Sequence, residues 1–161
     1  MGGVTRRAVI GVGSNLGDRR AAILFAAERL ANLLDDSSLS DVIETDPEGQ
    51  GLEAQPLYLN AVIVGHTGLP ARALLDELMA IEQSFGRERP FAGAPRTLDL
   101  DLVLLGDEIV DEPDLQVPHP RFRGRFFVLG PLAQLAPDTR DPVTGLRVGE
   151  LLRNLLRDKR R

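Results

Sequence analysis

An α+β domain built round a mainly antiparallel sheet is what this sequence predicts, on three observations. The 161 residues, with 43% apolar and 27% charged side chains, have the size and balance of one soluble domain with a full core. Short runs of strand character alternate with two long runs of helical period. Their order is β-α-β-β-α-β followed by C-terminal additions, the ferredoxin-like pattern, which packs two helices on one face of the sheet. Residues 1–161 are therefore read as a single domain.

Each element has its own signal. AVIGVGS (8–14) is a first strand, ended by the loop SNLGD. From Arg19 to Leu34 apolar residues recur at helical spacing, with Asp18 placed to cap the N-terminus. LSDVIET (39–45) and YLNAVIVGH (58–66) read as strands, separated by DPEGQGLEAQP (46–56), a loop rich in glycine, proline and polar residues. LPARALLDELMAIEQSFG (69–86) is an amphipathic helix with Pro70 at its start and Gly86 at its end. A second loop, RERPFAGAP (87–95), leads into the strand RTLDLDLVLL (96–105). EIVDEPDLQVP then reads as a β-excursion and GELLRNLLRDKRR as a short amphipathic helix. Both loops are of the length that often serves as a lid.

Composition narrows the function. With no cysteine, disulfides and thiolate metal sites are excluded, which suits a reducing cytoplasm. The N-terminus reaches a strand within a few residues, leaving no room for a signal peptide, and no apolar run approaches the ~20 residues of a membrane span. A net charge of −5 argues against a nucleic-acid binder, which is normally basic. Eighteen of the nineteen basic residues are arginine, and Lys159 is the exception. Six fall between positions 87 and 125: Arg87, Arg89, Arg96, Arg121, Arg123 and Arg125. Arginine's planar fork pairs with phosphate oxygens, so this grouping suits a polyphosphate. It equally suits a solvated face that balances nearby acids.

Four short stretches can carry chemistry. GVGSNLG (11–17) looks like a dinucleotide fingerprint, but its spacing is wrong and no crossover helix follows the second strand. Its glycines are expected to form a tight turn near the site. In RTLDLDLVLL, Asp99 and Asp101 lie two apart on a strand and so share a face. Two like charges there repel unless a cation joins them, and carboxylate oxygens suit Mg²⁺ completed by substrate phosphates. Two acids on the solvent side of a half-buried strand would give the same pattern. His119 lies between two prolines in VPHPRFRGRFFVLGPL (117–132), beside Arg121, Arg123, Arg125, Phe126 and Phe127. It reads as a turn residue, either a ligand-facing group or an ordinary hydrogen-bonded one. In YLN (58–60), Tyr58 can help sandwich a flat ring and Asn60 can read its edge, although Tyr58 also suits ordinary packing.

Together VGSNLGDR (12–19), ETDPEG (44–49), QPLYLNAV (55–62), IEQSFGRER (81–89), APRTLDLDLVLLG (94–106) and VPHPRFRGRFFVLGPL resemble the 6-hydroxymethyl-7,8-dihydropterin pyrophosphokinase family of folate biosynthesis. The resemblance implies a ferredoxin-like fold, a monomer, and transfer of pyrophosphate from MgATP to the pterin's hydroxymethyl oxygen with release of AMP. On that pattern Asp99 and Asp101 hold two Mg²⁺ ions. Arg87 and Arg96 contact the phosphates and stabilise charge during the transfer. Glu82, His119 and Arg125 help hold ATP. Thr45 and Asn60 read the pterin, and Tyr58 and Phe127 sandwich its ring. Some members carry a tryptophan and a basic residue in the second loop. Here that stretch is FAGAP (91–95), with Phe91 as its only aromatic. Two other readings remain: a ferredoxin-like two-metal nucleotidyltransferase, which would release pyrophosphate, and a non-catalytic ligand-binding module.

Overall fold

The computed structural model describes residues 4–15, 17–45, 57–86 and 98–159. The main sheet has the order β2(Asp35–Leu39), β4(Tyr58–Thr67), β1(Arg6–Ser14), β5(Asp99–Leu105), and every pairing in it is antiparallel. β3(Ile43–Thr45) pairs with the first residues of β4, beyond β2. α1(Arg19–Leu33) joins β1 to β2 and α2(Ala71–Gly86) joins β4 to β5. A small hairpin, β6(Val110–Glu112) with β7(Leu115–Val117), then leads to α3(Phe126–Leu135) and α4(Val148–Asp158). No described helix is long and apolar enough to cross a membrane.

α1 begins where expected, because the Asp18 side chain accepts a hydrogen bond from Ala21 N at 3.0 Å. It buries Ala22, Ile23, Ala26 and Leu30, a stripe at helical spacing. α2 buries Leu74, Leu78 and Ile81, and the Pro70 carbonyl accepts its first helical bond from Leu74 N. Both stripes meet one face of the sheet, against Ile10 and Val12 of β1, Leu59, Ala61 and Ile63 of β4, and Leu100 and Leu102 of β5.

The opposite face is divided. Val9, Val62, Val64, Val103 and Leu104 lie under α3, α4 and the fully buried Phe122. Toward the other end of the same strands, that face carries Gly11, Gly13, Tyr58, Asn60, Asp99 and Asp101, which α3 and α4 do not cover. The site lies on this half.

Two expectations need correction, and one helix was not expected. The single strand over 39–45 is two strands: Ser40 still donates its backbone N–H to Val62 O at 2.9 Å, but its hydroxyl, not its carbonyl, accepts from Val62 N at 2.9 Å, and the strand breaks there. Gly11 and Gly13 are not in a turn but inside β1, and among the described residues of that stretch only Gly17 has positive φ, at 66°. Residues 126–135 form a helix that the sequence reading did not anticipate. FFVLGPLAQL is apolar almost all round and holds Pro131, so it offers no helical contrast.

Candidate active site

Strand alternation builds the floor of the site. Asp99 pairs with Gly13 and Asp101 with Gly11, while Gly13 also faces Asn60 across the other edge of β1. The two carboxylates thus stand side by side, with Cα atoms about 6.5–7 Å apart, and no β1 side chain rises between them and β4. Asp99 is half-buried and Asp101 exposed.

β5 is an edge strand, and its outer backbone groups find other partners. Glu82 of α2 accepts a hydrogen bond from Leu100 N at 2.7 Å, between the two aspartates. Further along, β5 carries an extra residue, Val103, where pairing steps from Ile10–Leu102 to Val9–Leu104. The Val103 carbonyl accepts from His119 N at 2.9 Å. A bulge beside a site commonly re-aims a neighbouring group, and here it anchors His119.

The wall above the floor comes from the segment after β7. His119 Nδ1 accepts from Arg121 N at 3.1 Å, which leaves Nε2 as the protonated nitrogen of a neutral ring. Burial pushes the imidazole below its ordinary pKa; Asp101 opposes this, while Arg125 and Arg121 add to it. His119 is therefore neutral at physiological pH and offers an N–H to an anionic oxygen. Arg125 precedes α3, with its guanidinium carbon 5.4 Å from the centre of the Phe127 ring. On the far side of the floor, Asn60 Nδ2 donates to Thr45 Oγ1 at 2.6 Å, which fixes the amide so that Oδ1 lies over Gly13.

These groups line one pocket of about 640 Å³: Thr45, Tyr58, Asn60, Glu82, Asp99, Asp101, His119, Arg125 and Phe127 all border it. Arg87 and Arg96 lie outside the described residues, as do Arg89, Phe91 and both expected lids. Arg123 is turned away from the pocket onto Asp141. The sequence reading missed Leu75 and Met79 of α2, and Gly11 and Gly13, expected in a turn near the site, form its floor. Leu75, Met79 and Glu82 follow i, i+4, i+7 spacing beside the buried stripe of α2, a signal that was present in the sequence.

The donor set fits a magnesium–phosphate ligand. Asp99 and Asp101 supply hard oxygens on one face with glycines opposite, so room remains for the other ligands that Mg²⁺ keeps as water or phosphate. Two carboxylates are too few for a protein-only shell, and among the described residues no group of three or more acids and histidines is suited to a metal.

Carboxylates at one end of a pocket and an aromatic–amide recess at the other fit a transferase that brings a polyphosphate to a flat heterocycle. Sequence comparison makes the class specific. The family model of 7,8-dihydro-6-hydroxymethylpterin-pyrophosphokinase matches residues 9–137. A 2-amino-4-hydroxy-6-hydroxymethyldihydropteridine pyrophosphokinase of Pseudomonas aeruginosa is 41% identical over 149 residues, covering 91% of this chain and 90% of that one. The enzyme of that name from Aquifex aeolicus is 36% identical over 134 residues, covering 83% and 82%. The crystal structure of wild-type Plasmodium falciparum HPPK-DHPS superposes with a TM-score of 0.72 over 95% of this chain. At 14% identity that likeness concerns the fold, and the chain spans 45% of the Plasmodium one. The chain belongs to the 7,8-dihydro-6-hydroxymethylpterin-pyrophosphokinase family.

Proposed function

We propose that the protein transfers pyrophosphate from MgATP to the hydroxymethyl group of 6-hydroxymethyl-7,8-dihydropterin, giving the pterin diphosphate and AMP for folate synthesis. The observation that carries this reading is the shared pocket: Asp99 and Asp101 of β5 and Tyr58 and Asn60 of β4 stand on one sheet face, and Phe127 of α3 borders the same pocket. The strand order, renumbered without the short β3, is 4-1-3-2, and we read it as ferredoxin-like. The two apolar clusters lie on opposite faces of one sheet, which supports one domain. We also take the protein to act as a monomer, on the family pattern alone, and a cysteine-free chain that consumes ATP suits the cytoplasm.

In the reaction the hydroxymethyl oxygen forms a bond to the β-phosphorus. The bond from that phosphorus to the α–β bridging oxygen breaks, AMP leaves with the bridging oxygen, and the hydroxyl proton passes to solvent. Asp99 and Asp101 would hold two Mg²⁺ ions. When bound, these neutralise phosphate charge and lower the pKa of the attacking hydroxyl. Glu82 binds the backbone between the aspartates and so orients both, on the nucleotide side of the pocket. The neutral His119 donates its Nε2–H to a phosphate or ribose oxygen. Arg125 supplies a fixed positive charge stacked on Phe127, where the nucleotide end of the pocket meets the ring end. Tyr58 and Phe127 flank the pterin, and Asn60, held by Thr45, accepts from the ring's N–H edge through Oδ1. Arg87 and Arg96 are assigned to the phosphates on the sequence pattern alone. Such chemistry needs mainly positioning and charge neutralisation, and no strong base is required.

The test is to incubate the purified protein with MgATP and the pterin and to separate the nucleotides. Pterin-dependent AMP is expected. ADP would indicate a simple kinase, free pyrophosphate a nucleotidyltransferase, and no turnover by folded protein a binding module.

A further inference from the structure

The segment from His119 to Phe127 supplies three pocket residues, yet it contains only a single turn of 3₁₀ helix (Phe122–Gly124) before α3 begins. Its course must be fixed by what its other residues hold. Phe122 is fully buried among Val9, Val103, Leu129 and Val148. Backbone bonds run from His119 N to Val103 O, from Phe122 N to His119 O, and from Arg125 N to Phe122 O. Arg123 points away from the pocket and grips Asp141 with two parallel bonds, Nε to Oδ2 at 2.6 Å and Nη2 to Oδ1 at 2.9 Å.

Asp141 is wholly inaccessible to solvent. Its Oδ1 also accepts from Val143 N at 3.0 Å and its Oδ2 from Thr144 Oγ1 at 2.7 Å. Each oxygen thus has two donors, and the carboxylate is satisfied without water. Arg123 lies in turn over the Phe122 ring, 4.7 Å from its centre. A buried carboxylate midway along the 136–147 loop therefore clamps the middle of the substrate-facing wall from behind. Asp141 lies beyond residues 9–137, the part matched by the family model.

We propose that Asp141 is a positioning residue of the active site, acting through Arg123 to set the placement of His119, Arg125 and Phe127. The proposal rests on the reading of the pocket as the substrate site, and its test separates the two. Asp141→Asn keeps the size of the side chain but sets an N–H₂ against Arg123, or turns away from Thr144 or Val143. Arg123→Lys keeps the charge but loses the fork. Arg123→Ala removes the clamp from the exposed side.

The first readout needs no turnover. The protein has two histidines, so the imidazole ¹⁵N resonances of His119 and His66 are separable by spectroscopy. Wild-type His119 is expected in the Nε2–H tautomer, with Nδ1 held by Arg121 N. In Asp141→Asn and Arg123→Ala its signal should move toward that of a free, tautomer-averaged imidazole, while His66 stays in place. The second readout is kinetic: KM for ATP and for the pterin should rise about tenfold in both variants. The double variant should be no worse than the poorer single one, because both changes break one connection. Arg123→Lys should fall between wild type and Arg123→Ala. Loss of thermal stability with an unchanged His119 signature and unchanged KM would overturn the proposal, as would effects that multiply in the double variant. A wild type with no turnover but a shifted His119 signal in the variants would sink the functional reading and leave the clamp standing.

Discussion

Two glycines in β1 face the site, and alanine at each should have opposite consequences. A Cβ at Gly11 would lie 3.6 Å from Val103 Cγ2 and 3.8 Å from Asp101 Cβ, both ordinary contacts. A Cβ at Gly13 would lie 3.2 Å from Asn60 Oδ1, closer than side chains normally approach. Neither glycine has positive φ, so alanine fits both backbones. It should gain about 0.4–1 kcal/mol at each by restricting the unfolded chain. For Gly11→Ala that gain is unopposed, and Tm should rise by about 1–4 °C. For Gly13→Ala the Asn60 amide must shift, and its bond to Thr45 is worth about 0.5–1.5 kcal/mol, so stability changes little. The displaced Oδ1 loses one contact to the ring, which is about tenfold in KM for the pterin. Thermal unfolding and steady-state AMP release at varied pterin measure both. A wild-type pterin KM in Gly13→Ala, or a lowered Tm in Gly11→Ala, would refute this account of the two glycines.

Further outcomes follow from the same geometry. Glu82→Ala leaves the buried Leu100 N–H without its acceptor and should cost about 1–3 kcal/mol in denaturant unfolding, whereas Glu82→Gln, which keeps an acceptor oxygen, should cost less. Burial alone would raise the Asp141 carboxyl, but bonds from Arg123, Thr144 and Val143 outweigh it and hold it below the ordinary aspartate value. A carboxyl lowered by folding stabilises the protein above its unfolded pKa of about 3.9 and loses that contribution as pH falls through the folded value. The Tm gap between wild type and Asp141→Asn should therefore narrow from pH 5 to pH 3; a constant gap would contradict this. Arg72 joins Glu112 and Asp114 at the surface, and its guanidinium is held above its usual pKa by those bonds. Being exposed and screened, the group should matter little: Arg72→Ala should leave Tm nearly unchanged in 0.5 M salt, on the order of a few times physiological ionic strength.

The parts of this fold legible in the sequence are those with local cause. Alternation through Leu98–Leu102 places Asp99 and Asp101 on one face whatever the strand's neighbours, and Asp18 caps α1 through a residue three positions away. The hairpin after β5 and the C-terminal helix have local signals too. What stayed hidden depends on distant partners. A glycine in a strand and a glycine in a turn look alike until β4 and β5 are in place beside Gly11 and Gly13. β2, DDSSL, is largely exposed and has no apolar alternation to announce it. α3 is buried on several sides, so its sequence lacks a polar face, and Asp141 meets Arg123 across 18 residues. Of the site, the nine described residues expected from the sequence all border the pocket. Their spacing could not say that Glu82 would bind Leu100 N, or that Thr45 would orient Asn60.

On the proposed reaction, the paired carboxylates of β5 serve transfer rather than folding. Asp101 is exposed at the pocket floor, so Asp101→Asn should fold as wild type does. The direct measurement is pterin-dependent AMP release from MgATP by wild type and Asp101→Asn, compared at matched Tm. Wild type should turn over and the variant should lose at least about 100-fold, on the order of one electrostatic group in a phosphoryl-transfer site. Wild-type rates in Asp101→Asn would contradict it.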